Sequence, residues 1–158
     1  MKRRQFIKNT GAAALPAVVR GVASPAVPPN FVLILADDMG YGDASCYGSQ
    51  IETPNLDAMA AEGVRFNNFY SASPVCSPSR ASVLTGRYGV RCGVQQVLTP
   101  DAKAGLALNE VTIAQMLKPA GYTTGIFGKW QLGRQEDSPQ HFGFDTSVLW
   151  QQTRRPSR

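Results

Sequence analysis

The apolar positions of this chain come in short blocks separated by glycine, proline and acid, and each block implies an element. Phe31-Val32-Leu33-Ile34-Leu35-Ala36 is uninterrupted and rich in branched side chains, and it ends at Asp37-Asp38. A run apolar on both faces predicts a central strand of a parallel sheet covered by helices on each side. Carboxylates at the C-terminal end of such a strand stand where open α/β sheets bind ligands. The loop Gly40-Tyr41-Gly42-Asp43 then lets the backbone fold closely around that end. Thr53-Pro54-Asn55-Leu56-Asp57 supplies a capping hydroxyl, proline at the first helical position and an acid in the first turn, and Gly63 supplies a stop. These signals predict a helix over 54–62, with Leu56, Met59 and Ala60 on one face. A strand is expected through Val64, Phe66 and Phe69, with Met59 and these phenylalanines in the core. Further on, the pattern predicts a helix over 78–85 closed by Gly86 and a second over 111–118 before Pro119-Ala120-Gly121. A strand over 122–127 follows, ending at Gly128-Lys129-Trp130. Strands alternating with helices argue an α/β fold, a mostly parallel sheet with helices on both faces.

Composition changes this picture at the N-terminus. Lys2-Arg3-Arg4-Gln5-Phe6-Ile7-Lys8, an apolar run over 11–19 and the small residues Ala23, Ser24 and Ala26 read as a twin-arginine-type signal segment over 1–26, cleaved after Ala26. The apolar run is too short for a stable membrane anchor. Export through the twin-arginine machinery to the periplasm or the extracellular space is the expected destination. The segment carries five of the sixteen basic residues and no acid, so the formal charge of +5 becomes an even balance of eleven against eleven in the remainder. No basic stripe with interleaved aromatics remains, which excludes nucleic acid as the expected partner. Removing 26 of the 158 residues leaves one modest domain, small for a doubly wound sheet. Three cysteines, Cys46, Cys76 and Cys92, are too few for a disulfide scaffold and match no zinc spacing.

The densest chemistry lies at Cys76-Ser77-Pro78-Ser79-Arg80, where a loop should turn into a helix. Unpaired N–H groups at a helix start favour negative charge, and Arg80 adds a fixed positive charge one turn on. This describes an anion site. A Cys–His nucleophile pair is not available nearby, because the only histidine is His141. His141, beside Phe142, reads as a structural residue. Asp37-Asp38 offers two hard oxygen donors suited to calcium or magnesium, although taken alone it reads more readily as a solvated acidic turn.

Cys76-x-Pro78-Ser79-Arg80 followed by Thr85-Gly86-Arg87 resembles the signature of the type I sulfatases, formylglycine-dependent members of the alkaline-phosphatase-like superfamily. Two further segments share the resemblance: Asp37-Asp38-Met39-Gly40-Tyr41-Gly42-Asp43, and Gly121 through Gly133 with Gly128-Lys129-Trp130 at its centre. The resemblance covers residues 29–145 and implies the N-terminal part of a sulfatase domain over 27–146. Residues 147–158 form a tail to which no element is assigned.

By this resemblance Cys76 is oxidised by a formylglycine-generating enzyme to Cα-formylglycine, whose hydrate attacks the sulfur of a sulfate ester. Asp37, Asp38 and the modified Cys76 are then ligands of a calcium ion, with Arg80 and Lys129 catalytic and Lys129 and Gln131 binding substrate. Gln131 departs from the family pattern, which has histidine there. Glutamine can hydrogen-bond a sulfate but cannot exchange a proton near neutral pH. If Cys76 is converted, Cys46 and Cys92 remain as a pair able to bond in an oxidising compartment. The expected substrate is a small sulfate ester or a sulfated glycan. The family's later metal pair, second histidine and second lysine have no counterpart here, so the isolated chain is expected to bind metal weakly and turn over little. Two alternatives share the anion pocket: a phosphate or phosphonate monoester hydrolase on the same scaffold, and a noncatalytic exported anion-binding protein.

Overall fold

A computed structural model describes residues 28–99, 102–133 and 139–149. The twin-arginine-type segment and residues 150–158 lie outside the described residues. The stretch up to Ala36 and the unit from Asp37 onward are separate. In the first, the apolar run is not a strand: residues 28–36 have no assigned secondary structure, and Val32 and Ile34 are 85% and 78% exposed. An extended run becomes a strand only when a neighbour takes its backbone N–H and C=O groups. The sheet of the described residues has two strands, neither of which is this segment.

Within the second unit, helix α1 spans Pro54–Glu62, the bounds its local signals predict. Its cap differs from expectation. Thr53 makes no side-chain cap; its hydroxyl accepts from the Ser45 N–H at 2.9 Å, while the Ser45 hydroxyl donates to Asp57 at 2.6 Å. The threonine thus ties α1 to the preceding turn. Residues 64–69 form no strand, and Met59, Phe66 and Phe69 are exposed rather than core. Periodicity identifies an apolar face but not whether another layer covers it, and no layer of the described residues covers these.

Helix α2 spans Cys76–Thr85 and ends at Gly86 in the left-handed region, whose N–H bonds the Ser82 carbonyl at 2.9 Å. It begins two residues before the expected start, because proline in a first turn forfeits a donor that would be unpaired anyway. Helix α3 spans Ile113–Leu117, shorter than the expected 111–118, and continues as a 3-10 turn over Lys118–Ala120. Thr112 and Gln115 form its capping box. Strands β1, Gly125–Gly128, and β2, Thr146–Leu149, run parallel with Gly125 opposite Thr146. β2 falls in a stretch given no element from sequence.

The core gathers Ala81, Cys92, Val94, Leu106, Ala114, Trp130, Leu132, Phe142 and Phe144, drawn from α2, α3 and the loops around them. The Trp130 ring lies 5.7 Å from Phe142 and 6.3 Å, edge-on, from Phe144, distances at which aromatic pairs attract. One glycine is dictated by close approach: a Cβ on Gly89 would stand 2.4 Å from the Val94 carbonyl oxygen and 2.8 Å from the Pro78 Cβ. Cys46 and Cys92 are both free. The Cys92 thiol is buried against the Gly89 carbonyl instead.

Asp145 joins the end of α3 to the entry of β1. It accepts from Lys118 Nζ at 2.5 Å and from the Thr124 N–H at 2.9 Å. The Lys118 bond and then the Thr124 bonds hold its pKa down at about 2, from an ordinary 3.8. A lowered carboxylate pKa stabilises the fold above the ordinary value and loses that contribution as pH falls through the folded one. A carboxyl-carbon NMR titration should therefore find the Asp145 midpoint near 2, and Asp145→Asn should flatten the acid side of the stability curve between those values. Gly89→Ala should cost about 2 kcal/mol, since the facing backbone oxygen cannot move aside, read as a lower urea midpoint at unchanged m-value.

Candidate active site

The site starts from the N-terminus of α2. Val75 is extended and gives no side-chain cap, so the first-turn N–H groups of this ten-residue helix keep their affinity for negative charge. Cys76 is the first helical residue, and Arg80 projects from the next turn.

The opposite wall comes from the end of β1. Gly128, at φ 102, breaks the strand in a conformation that favours glycine. The next two side chains part: Trp130 enters the core, 1% exposed, while Lys129 reaches the thiol. Lys129 Nζ lies 3.4 Å from Cys76 Sγ and 2.7 Å from Asp37 Oδ2. Arg80 donates to the other Asp37 oxygen at 3.1 Å and to the Lys129 carbonyl at 2.8 Å. Asp37, Cys76, Arg80 and Lys129, separated by up to 92 positions in the chain, thus form one cluster. The Arg80 and Lys129 side chains are only 11% and 12% exposed, against 39% for Asp37.

Two cations against one carboxylate leave a local positive excess beside residue 76. The Lys129 hydrogen bond, helped by Arg80 and opposed by burial, holds the Asp37 carboxyl below its ordinary range. The Asp37 bond, followed by the contact to Cys76 and again opposed by burial, raises the Lys129 ammonium above its own. Both shifts favour the charged forms.

The remaining expected residues stand apart from these four contacts. Asp38 is exposed and adopts φ 58, rare for a residue with a side chain, and both cations pair with Asp37 instead. Gln131, also left-handed at φ 53, donates its amide to the Leu98 carbonyl at 3.2 Å, leaving its buried Oε1 without a partner. His141 hydrogen-bonds the Leu108 carbonyl at 3.0 Å and meets the Phe142 ring edge-on, consistent with its structural reading. Sequence reasoning did not foresee that Arg80 would grip both Asp37 and the Lys129 backbone, because a guanidinium's partners are set by tertiary placement alone. It also missed Ser77, fully buried, whose hydroxyl accepts from the Leu98 N–H at 2.9 Å.

A family model described as Sulfatase matches residues 29–156. Human arylsulfatase A is 51% identical over 135 residues, covering 82% of this chain and 26% of that protein. Human arylsulfatase G is 53% identical over 119 residues, covering 74% and 23%. Among solved structures, Ps i-CgsB superposes with a TM-score of 0.69 at 40% identity, covering 73% of this chain and 27% of that one. The same protein in complex with k-i-k-neocarrahexaose gives 0.67 at 38%, covering 72% and 26%. This chain spans about a quarter of the length of the curated relatives it matches.

The pKa directions fix the pH behaviour of the cluster. The lowered Asp37 contributes above the ordinary carboxylate range and is lost as pH falls through its folded value. The raised Lys129 contributes below its ordinary value of 10.5 and is lost as pH rises through its folded one. The cluster should therefore hold unchanged from mildly acid to mildly alkaline solution. Asp37→Asn should lower the Lys129 pKa, since burial and Arg80 would remain without the opposing anion. A Lys129 side-chain NMR titration checks this.

Proposed function

The chain belongs to the sulfatase family, with its alkaline-phosphatase-like α/β fold, and from that premise we propose that it carries the reactive-residue portion of an exported sulfuric ester hydrolase. The observation that carries the reading is the placement of Cys76 at an uncapped helix start, 3.4 Å from the Lys129 ammonium. A sulfate ester is an anion whose leaving oxygen gains charge as the S–O bond breaks. Preorganised cations in a site of low exposure stabilise that charge more than water does.

The residues divide the work as follows. The first-turn N–H groups of α2 and the Lys129 ammonium draw the sulfate oxygens toward residue 76. Lys129 also meets the charge on the departing alcohol, acting as a compact point charge held beside residue 76. Arg80, committed to Asp37 and to the Lys129 carbonyl, holds both in register and adds to the positive field. Conversion of Cys76 to Cα-formylglycine would supply, as the hydrate, the oxygen nucleophile that a thiol cannot.

Calcium is the metal this reading implies. Two adjacent carboxylates fit it in kind, and the Asp37 carboxylate already faces two positive groups. In number they fall short: no group of three His, Cys, Asp or Glu able to hold a metal occurs among the described residues, and calcium takes about six to eight oxygens. Asp37 and Asp38 would thus form part of the shell, and the bound ion would offset substrate charge. The complex of Ps i-CgsB with k-i-k-neocarrahexaose supports a saccharide as the bearer of the sulfate. The twin-arginine-type segment supports action in the periplasm or outside the cell.

Co-expression with a formylglycine-generating enzyme should convert the Cys76 peptide, by mass spectrometry, from CH2–SH to CHO. An intact thiol under conditions that convert a control protein would overturn the reading. In a form of the enzyme that turns over sulfate esters, Cys76→Ala should lower kcat by about 10^4-fold or more. Equal loss on phosphate esters, with phosphate the better substrate, would point to a phosphate hydrolase instead.

A further inference from the structure

Two hydrogen bonds outside the charged cluster converge on the backbone of a single residue, Leu98. The Leu98 N–H donates to Ser77 Oγ at 2.9 Å, and the Leu98 carbonyl accepts from Gln131 Nε2 at 3.2 Å. Ser77 follows the reactive residue, and Gln131 lies two positions beyond Lys129. Ser77 is fully buried, and the Leu98 side chain packs on the apolar core, so the bridging residue is itself held. A second link, from the Arg80 guanidinium to the Lys129 carbonyl at 2.8 Å, joins the same two segments directly.

We propose that Ser77 and Gln131 are positioning residues, holding the first turn of α2 to the Leu98 N–H and the 129–131 turn to the Leu98 carbonyl and thereby fixing Lys129 beside residue 76. The clamp assigns Gln131 a task different from contact with substrate. Its amide nitrogen faces a carbonyl, and a flipped amide would set two acceptors against each other, so the orientation is fixed by its partner. The left-handed backbone at Gln131 is consistent with a residue held by its surroundings rather than by its own preference. The inference rests on the sulfatase reading only for its functional meaning, because the clamp exists in the thiol form of the chain.

The test is the rate at which iodoacetamide labels each cysteine of this chain, followed by peptide mass spectrometry. Gln131→Asn is the informative variant. Asparagine tolerates positive φ well but is one methylene too short to reach Leu98. Ser77→Ala removes the other contact, and Ser77→Thr restores the hydroxyl. Gln131→Asn and Ser77→Ala should each speed Cys76 labelling about fivefold through local opening, the worth of one ordinary hydrogen bond. Combining them should add little, because either cut releases the same clamp. Ser77→Thr should label at the wild-type rate, and buried Cys92 should stay protected throughout.

Unchanged Cys76 labelling in both Gln131→Asn and Ser77→Ala would overturn the proposal. So would equal acceleration at Cys92 in Gln131→Asn, which would show general loosening. Failure of Cys76 to become an aldehyde in the conversion experiment would leave these rates untouched, so the two readings fail separately.

Discussion

The site depends on one shared carboxylate. Asp37 takes Arg80 on one oxygen and Lys129 on the other, which lets two cations approach the same reactive residue without driving each other away. An exposed ion pair is worth about 0–1 kcal/mol, and Asp37 is open enough to water for that discount to apply. The cations are different, since both are nearly withdrawn from solvent. Without Asp37, two cations of low exposure would face each other with no anion between them. The carboxylate is thus less a source of stability than the condition under which Arg80 and Lys129 can stand together beside Cys76.

That condition explains a tension in the proposed chemistry. Each cation engaged by Asp37 is partly neutralised before a substrate arrives, and a calcium ion drawn to the same carboxylate would compete with both. A metal bound by Asp37 and Asp38 would release Lys129 toward the anion it is meant to hold. The same donor set therefore reads as an internal ion-pair cluster or as part of a metal shell, according to which positive charge occupies it.

How far the sequence spoke depended on how local each signal was. The bounds of α1 follow from a proline, an acid and a glycine within ten residues, and all of them act on their own turn. Cys76, Arg80, Lys129 and Asp37 were legible as motif residues, and the fold brings these four together while Asp38 and Gln131 stand apart. The strands were harder. Residues 30–36 and 64–69 carry strand-like composition, but a strand is completed by its neighbour. β2 was invisible for the opposite reason: Ser147 and Leu149 turn partly inward while Thr146 and Val148 face out, so polarity and burial do not alternate together. The Ser77–Leu98–Gln131 clamp left no trace because Leu98 takes part through its backbone N–H and C=O, which every residue but proline carries.

The turn at 128–131 shows why core and site cannot be considered apart. Gly128 supplies a backbone angle that ends β1, Trp130 drops between Phe142 and Phe144, and Lys129 is left on the other side of the chain. An indole that size cannot shift in a close-packed core without moving its neighbours. Its fixed position therefore sets where the Lys129 ammonium can reach, and a few tenths of an ångström there change the distance to residue 76 directly. The aromatic cluster thus acts on the chemistry through geometry alone. A substitution at Phe142 or Phe144 would reach the reactive residue along the backbone between Trp130 and Lys129 while every charged group stayed in place.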